Sequence, residues 1–127
     1  MPTEAYPQTE GKINNAFKAG YGTVVFFEDE NVVKQLQTSY PTYSAAFPIF
    51  SQHSSGMLQF IVWTALEQLG FGASLQHYSP LVDAPLAKEW DIPANWKVVA
   101  QMPFGKPLAT PSEKTFLPLE DRLKIFK

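Results

Sequence analysis

Between Met57 and Leu66 only Gln59 and Thr64 are polar. The apolar residues Met57, Leu58, Phe60, Ile61, Val62, Trp63, Ala65 and Leu66 do not keep to one stripe. A surface helix of a small domain carries one apolar face, and a helix apolar all round is buried. The stretch is too short, and too closely flanked by polar residues, to cross a bilayer, which takes about 20 apolar residues. The pattern predicts a central helix over residues 51–70. Ser51, Ser54 or Ser55 is expected to cap it, and Gly70 to end it in a left-handed turn. Two readings of its apolarity stand side by side. One is a plain hydrophobic centre. In the other, one face packs on its own domain and the opposite face on a second subunit, because so short a chain rarely wraps a helix completely.

The rest of the chain alternates elements around this helix. Residues 1–10 carry two prolines and read as irregular. Residues 12–19 read as the last turns of a helix closed by Gly20. The run TVVFFE over 23–28 is β-branched and aromatic, as a strand buried on both faces is. Residues 29–37 read as a helix capped by Asp29 or Asn31, with Val32, Val33 and Leu36 on one face. In YPTYSAAFPIF, residues 40–50, two prolines argue against a long regular element. This aromatic segment is either a lid on an apolar pocket or an irregular patch of core.

Residues 71–78 read as a short strand entering a loop. Residues 80–90 contain a short helix, capped by Asp83, with Pro85 near its first turn. Residues 91–95 form a turn. WKVVAQM, residues 96–102, is the third strand, which Pro103 is expected to end abruptly. The tail is extended until residues 119–126, expected to pack as a terminal arm. The alternation of helix and strand predicts a layered α/β or α+β fold in one domain, residues 1–127.

Composition narrows the chemistry. The net charge is −2 with no basic run, so there is no electrostatic footprint for nucleic acid or an anionic membrane. The chain has no cysteine, which removes thiolate catalysis and cysteine-based metal sites. The N-terminus lacks the charged-then-apolar pattern of a secretion signal, so a cytoplasmic location is expected. His53 and His77 are far apart, and nothing in their spacing asks for a metal. Ser54, Ser55 and Ser74 lie in no nucleophile elbow. Residues 70–75 match the dinucleotide fingerprint only in part, and they follow a helix instead of opening one. Glu120 and Asp121 are adjacent and would not act as a pair. Lys114 and Arg122 read as solvated charges. The residues alone name no catalytic group.

Taken together, FKAGYGTVVFFED, SSGMLQFIVWTALEQLGFGASLQHY, EWDIPANWKVVAQMPFGKP and FLPLEDRLKIF resemble the C-terminal two-thirds of a flavin-dependent nitroreductase, in a short subgroup with yeast members linked to fatty-acid-dependent repression. The resemblance implies an α+β sandwich, with a mostly antiparallel central sheet flanked by helices. It implies an intertwined homodimer holding FMN at its interface. NADH or NADPH would reduce the flavin, and nitroaromatics or quinones would reoxidise it. Ser74, Leu75, Gln76 and His77 would run beside the isoalloxazine, offering backbone N–H groups to N5 and O4. Lys114 and, more weakly, Arg122 would face the FMN phosphate. Tyr40, Tyr43, Phe47 and Phe50 would form the substrate lid. Met57, Phe60, Ile61 and Trp63 would build the dimer interface. No metal is implied. The family also opens with an arginine-rich helix, whereas residues 1–11 hold no arginine. Hence a second expectation: a fragment or shortened paralogue that lacks the cofactor and acts by binding or regulation.

Overall fold

The computed structural model describes residues 5–127. Helix α1, Tyr6–Lys12, continues as a π-helical turn over Ile13–Lys18. Strand β1 is Gly22–Asp29, followed by α2, Glu30–Ser39. A 3-10 turn, Pro41–Tyr43, leads to the 22-residue α3, Phe47–Gln68. Then come β2, Gly72–Ala73, α4, Asp83–Trp90, β3, Trp96–Gly105, and the single turn α5, Leu119–Arg122. The sheet order is β1-β3-β2 and both pairings are antiparallel. This is an α+β fold, as the resemblance implied. Among the described residues no helix is long and apolar enough to cross a membrane.

Strand β3 is the spine. Gly22 pairs with Phe104 and the frame holds to Phe26 opposite Ala100, then slips so that Phe27 faces Val98. The slip leaves Val99 as a bulge. Phe26, Ala100 and Met102 are buried against Val62, Trp63 and Leu66 of α3. Beyond the bulge, Phe27 and Val98 turn to the other face, where they share a cavity with Leu86 and Ala87 of α4. Ile13, Phe17, Tyr78 and Leu81 cover that face opposite Gln101 and Pro103. Helices therefore lie on both sides of the sheet.

Four element bounds or caps differ from expectation, three of them because proline was read as a breaker. Helix α1 begins at Tyr6 with Pro7 in its first turn, within the segment expected to be irregular. Residues 1–4 of that segment lie outside the described part. Helix α3 starts at Phe47, inside the supposed aromatic loop, with Pro48 in its first turn. The first N–H groups of a helix have no internal partner, so a proline there forfeits nothing. Ser51, Ser54 and Ser55 consequently sit inside α3 and cap nothing; the N-cap is Ala46, without a side-chain bond. Strand β3 runs through Pro103 to Gly105. Strand direction alternates, and the Pro103 carbonyl accepts from Ser74 N at 3.1 Å, so its missing N–H also faces β2. The long pairing with β1 is untouched, and the regular part of β2 stops at Ala73. The fourth change is at α4, where Asp83 is the first helical residue, accepting from Ser79 Oγ at 2.8 Å, and Val82 is the N-cap.

Two local readings hold and two more do not. Asp29 caps α2 by accepting from Asn31 N at 3.0 Å. Gly70, at φ +87°, closes α3: its N–H reaches Glu67 O at 2.9 Å and Phe71 N reaches Leu66 O at 3.0 Å, a Schellman motif. Strand β1 is less buried than its apolar run suggested, because it lies at a sheet edge; only Phe26 is fully enclosed. The tail from residue 106 onward is exposed throughout and packs as no arm within its own chain.

Candidate functional site

The edge of β2 is built by its pairing to β3. Gly72 opposite Gly105, Ala73 opposite Phe104 and Gln76 opposite Gln101 share one frame. Ser74 N donates to Pro103 O, and Gln76 N donates to Gln101 O at 2.7 Å while Gln101 N returns a bond of 2.9 Å. Tyr78 N donates to Gln101 Oε1 at 2.9 Å. Residues 74, 76 and 78 thus direct their N–H groups inward. In an extended chain the alternate groups face the opposite way. The N–H groups of Leu75 and His77 accordingly line the open edge, and neither is hydrogen-bonded among the described residues. Leu75 packs its side chain toward the α3 core, and His77 is exposed.

Gly72 and Ala73 also floor a groove of about 510 Å³ walled by Phe60, Trp63, Thr64 and Glu67 of α3 and by Pro111 and Lys114. Lys114, on the tail, is one of the residues that line this groove. Arg122, the only arginine, is exposed on α5.

The four aromatics of the expected lid lie elsewhere. Phe47 and Phe50 line a separate groove of about 410 Å³ between α2 and α3, with Val32, Val33, Leu36, Leu58 and Ser51. Tyr40 stacks at a tilt on Phe47, 6.2 Å between ring centres, and Phe50 meets Phe47 edge-on and then His53. Tyr43 is exposed. Within one chain this aromatic cluster and the β2 edge line different cavities.

Helix α3 divides as a two-sided helix should. Gln59, Val62, Trp63 and Leu66, at helical spacing, face the sheet. Met57, Leu58, Phe60 and Ile61 are 52–71% exposed. Trp63, expected at a subunit interface, packs against the chain's own core.

Sequence reasoning passed over Gln101, which is 7% exposed and holds the loop at three points. The signal was there: it is the one uncharged polar residue in the apolar run WKVVAQM.

The family model for the nitroreductase family matches residues 2–106, and the chain belongs to that family. The nitroreductase FRM2 of Saccharomyces cerevisiae is 47% identical over 118 residues, 92% of this chain and 58% of its own length. Nitroreductase CinD of Lactococcus lactis, solved in complex with chloramphenicol, superposes with a TM-score of 0.89 at 45% identity, over 98% of this chain and 66% of that one. A nitroreductase structure from Saccharomyces cerevisiae gives 0.71 at 38% identity, over 85% of this chain and 58% of that one. The chain spans a little over half the length of the curated yeast relatives it matches.

Proposed function

We propose that this chain is part of an FMN-dependent NAD(P)H oxidoreductase that reduces nitroaromatics or quinones and works as a cytoplasmic homodimer. The observation that carries the reading is the open edge of β2: two unpaired N–H donors, at Leu75 and His77, on a strand fixed from behind by β3. Such donors fit the electron-rich edge of a reduced isoalloxazine. Ser74 and Gln76 hold the strand in register, and Lys114 in the adjoining groove supplies a cation for the phosphate. Arg122, on a turn of the same tail, is the weaker candidate. When bound, FMN supplies the hydride chemistry, so no side chain need act as acid or base. CinD has been solved with chloramphenicol and with 4-nitrophenol, both nitroaromatic, which supports that acceptor class here.

The dimer rests on surface. Met57, Phe60 and Ile61 are 62–71% exposed in the single chain, and a second copy packed on α3 would cover them. Because Phe47 and Phe50 line a different cavity from the β2 edge within one chain, a lid role for Tyr40, Tyr43, Phe47 and Phe50 would require a second copy. Titrating FMN into purified protein tests the reading. Saturable quenching of flavin fluorescence, then NAD(P)H oxidation dependent on 4-nitrophenol, is expected; a preparation that takes up no flavin overturns it.

One observation favours a second reading, a cofactor-free binding or regulatory protein. The chain holds a single arginine, exposed, and lysine replaces the bidentate phosphate grip of arginine poorly. The same titration separates the two.

A further inference from the structure

Gln101 is nine-tenths buried, and its amide is used at one end only. Oε1 accepts from Tyr78 N at 2.9 Å, while Nε2 is sealed from solvent with no partner. A buried donor without a partner is costly, and an apolar side chain of the same length would avoid that cost. The oxygen therefore has a role that the nitrogen does not share.

That role follows from the bulge. The frame that sets Gly72 opposite Gly105 and Gln76 opposite Gln101 would set Tyr78 opposite Val99. Val99 is the residue displaced where the pairing of β3 with β1 slips. The main-chain ladder to the loop ends at Gln76, and the Gln101 side chain catches the chain two residues later. Gln101 N and O clamp Gln76, and Oε1 clamps Tyr78. His77 lies between the clamps, so its N–H is held pointing out along the open edge.

We propose that Gln101 is a positioning residue that fixes the outward N–H of His77 for the flavin, a role that rests on the flavin reading above. Its test has two arms. Amide hydrogen exchange on the flavin-free protein compares wild type with Q101M, which loses both the oxygen and the orphan nitrogen, and with Q101E, which keeps an acceptor. In Q101M, exchange at Tyr78 should quicken by about tenfold, the worth of one hydrogen bond. Ala100 and Met102, bonded toward β1, should be unchanged, and the melting temperature should stay close to wild type. Q101E should restore slow exchange at Tyr78. In the second arm, FMN should bind Q101M about tenfold more weakly, with its reduction potential shifted negative, because a donor to the reduced flavin has been loosened.

Unchanged exchange at Tyr78 in Q101M overturns the proposal. So does uniform loosening of β3 together with a large fall in melting temperature, which would make Gln101 merely structural. Should Q101M fail to fold, Q101N, one methylene too short to reach Tyr78, is read by the same criteria. Wild type that binds no FMN refutes the flavin reading, while the exchange arm still reports whether Gln101 holds the loop.

Discussion

Replacing Ile61 by aspartate should convert the protein from dimer to monomer. Ile61 is 62% exposed in the single chain, beside Met57 at 63%, Leu58 at 52% and Phe60 at 71%. Full burial of such a side chain contributes about 1.5–3 kcal/mol; scaled by these exposed fractions, the four contribute about 4–7 kcal/mol per subunit. A symmetric interface uses the patch twice, which is enough to offset the entropy lost on association. Ile61→Asp removes about 1–2 kcal/mol of burial per subunit and adds the desolvation of a charge, several kcal/mol more. A loss of at least about 5 kcal/mol per dimer weakens association more than a thousandfold. Sedimentation equilibrium across a micromolar concentration series reads this directly. A variant that dimerises as tightly as wild type refutes the assignment of this face. A wild-type chain that is a cooperatively melting monomer at those concentrations refutes the dimer itself.

Three further expectations concern stability, each read by chemical denaturation at one protein concentration. Met102 is fully enclosed, so Met102→Ala should cost about 2–5 kcal/mol; a loss under about 1 kcal/mol would contradict the core described for β3. Gly70→Ala forces a Cβ into φ +87° and should cost about 1–2 kcal/mol, whereas a neutral result would mean that α3 ends differently. Asp29→Ala removes the α2 cap and the 2.7 Å bond accepted from Asn95 Nδ2, for about 0.5–2 kcal/mol; an unchanged midpoint would show the cap to be idle.

The legible parts of the sequence were those where one local force acts alone. The β-branched run before Asp29 and the apolar run after Trp96 form strands, and Gly70 ends the long helix, because each is decided by neighbours in sequence. Proline misled where tertiary context decides its effect. Pro7 and Pro48 sit in first turns, where no N–H is needed, and Pro103 points its missing donor at the shortest strand. The edge donors of Leu75 and His77 could not be derived from local pattern, since they depend on which neighbours Ser74 and Gln76 find across the sheet. The family resemblance named that loop. The structure adds the reason its N–H groups are free. The gathering of Lys114 beside Gly72 depends on the path of an irregular tail, which has no periodicity to read.

The bulge at Val99 makes β3 sensitive to length in a way its composition hides. On its C-terminal side Ala100 and Met102 serve the core under α3; on the other, Val98 and its partner Phe27 serve the packing under α4. A single inserted or deleted residue before Ala100 would reverse the phase of one half while leaving the other in place. Val98 would then point at the wrong helix, and Gln101 would either lose the gap it spans to Tyr78 or have to span a different one. Residue identities along this strand are open to exchange between similar hydrophobics; the count of residues between Trp96 and Gln101 is not. Homologous chains in which this segment gains or loses one residue should therefore carry a compensating change of length between Ala73 and Asp83.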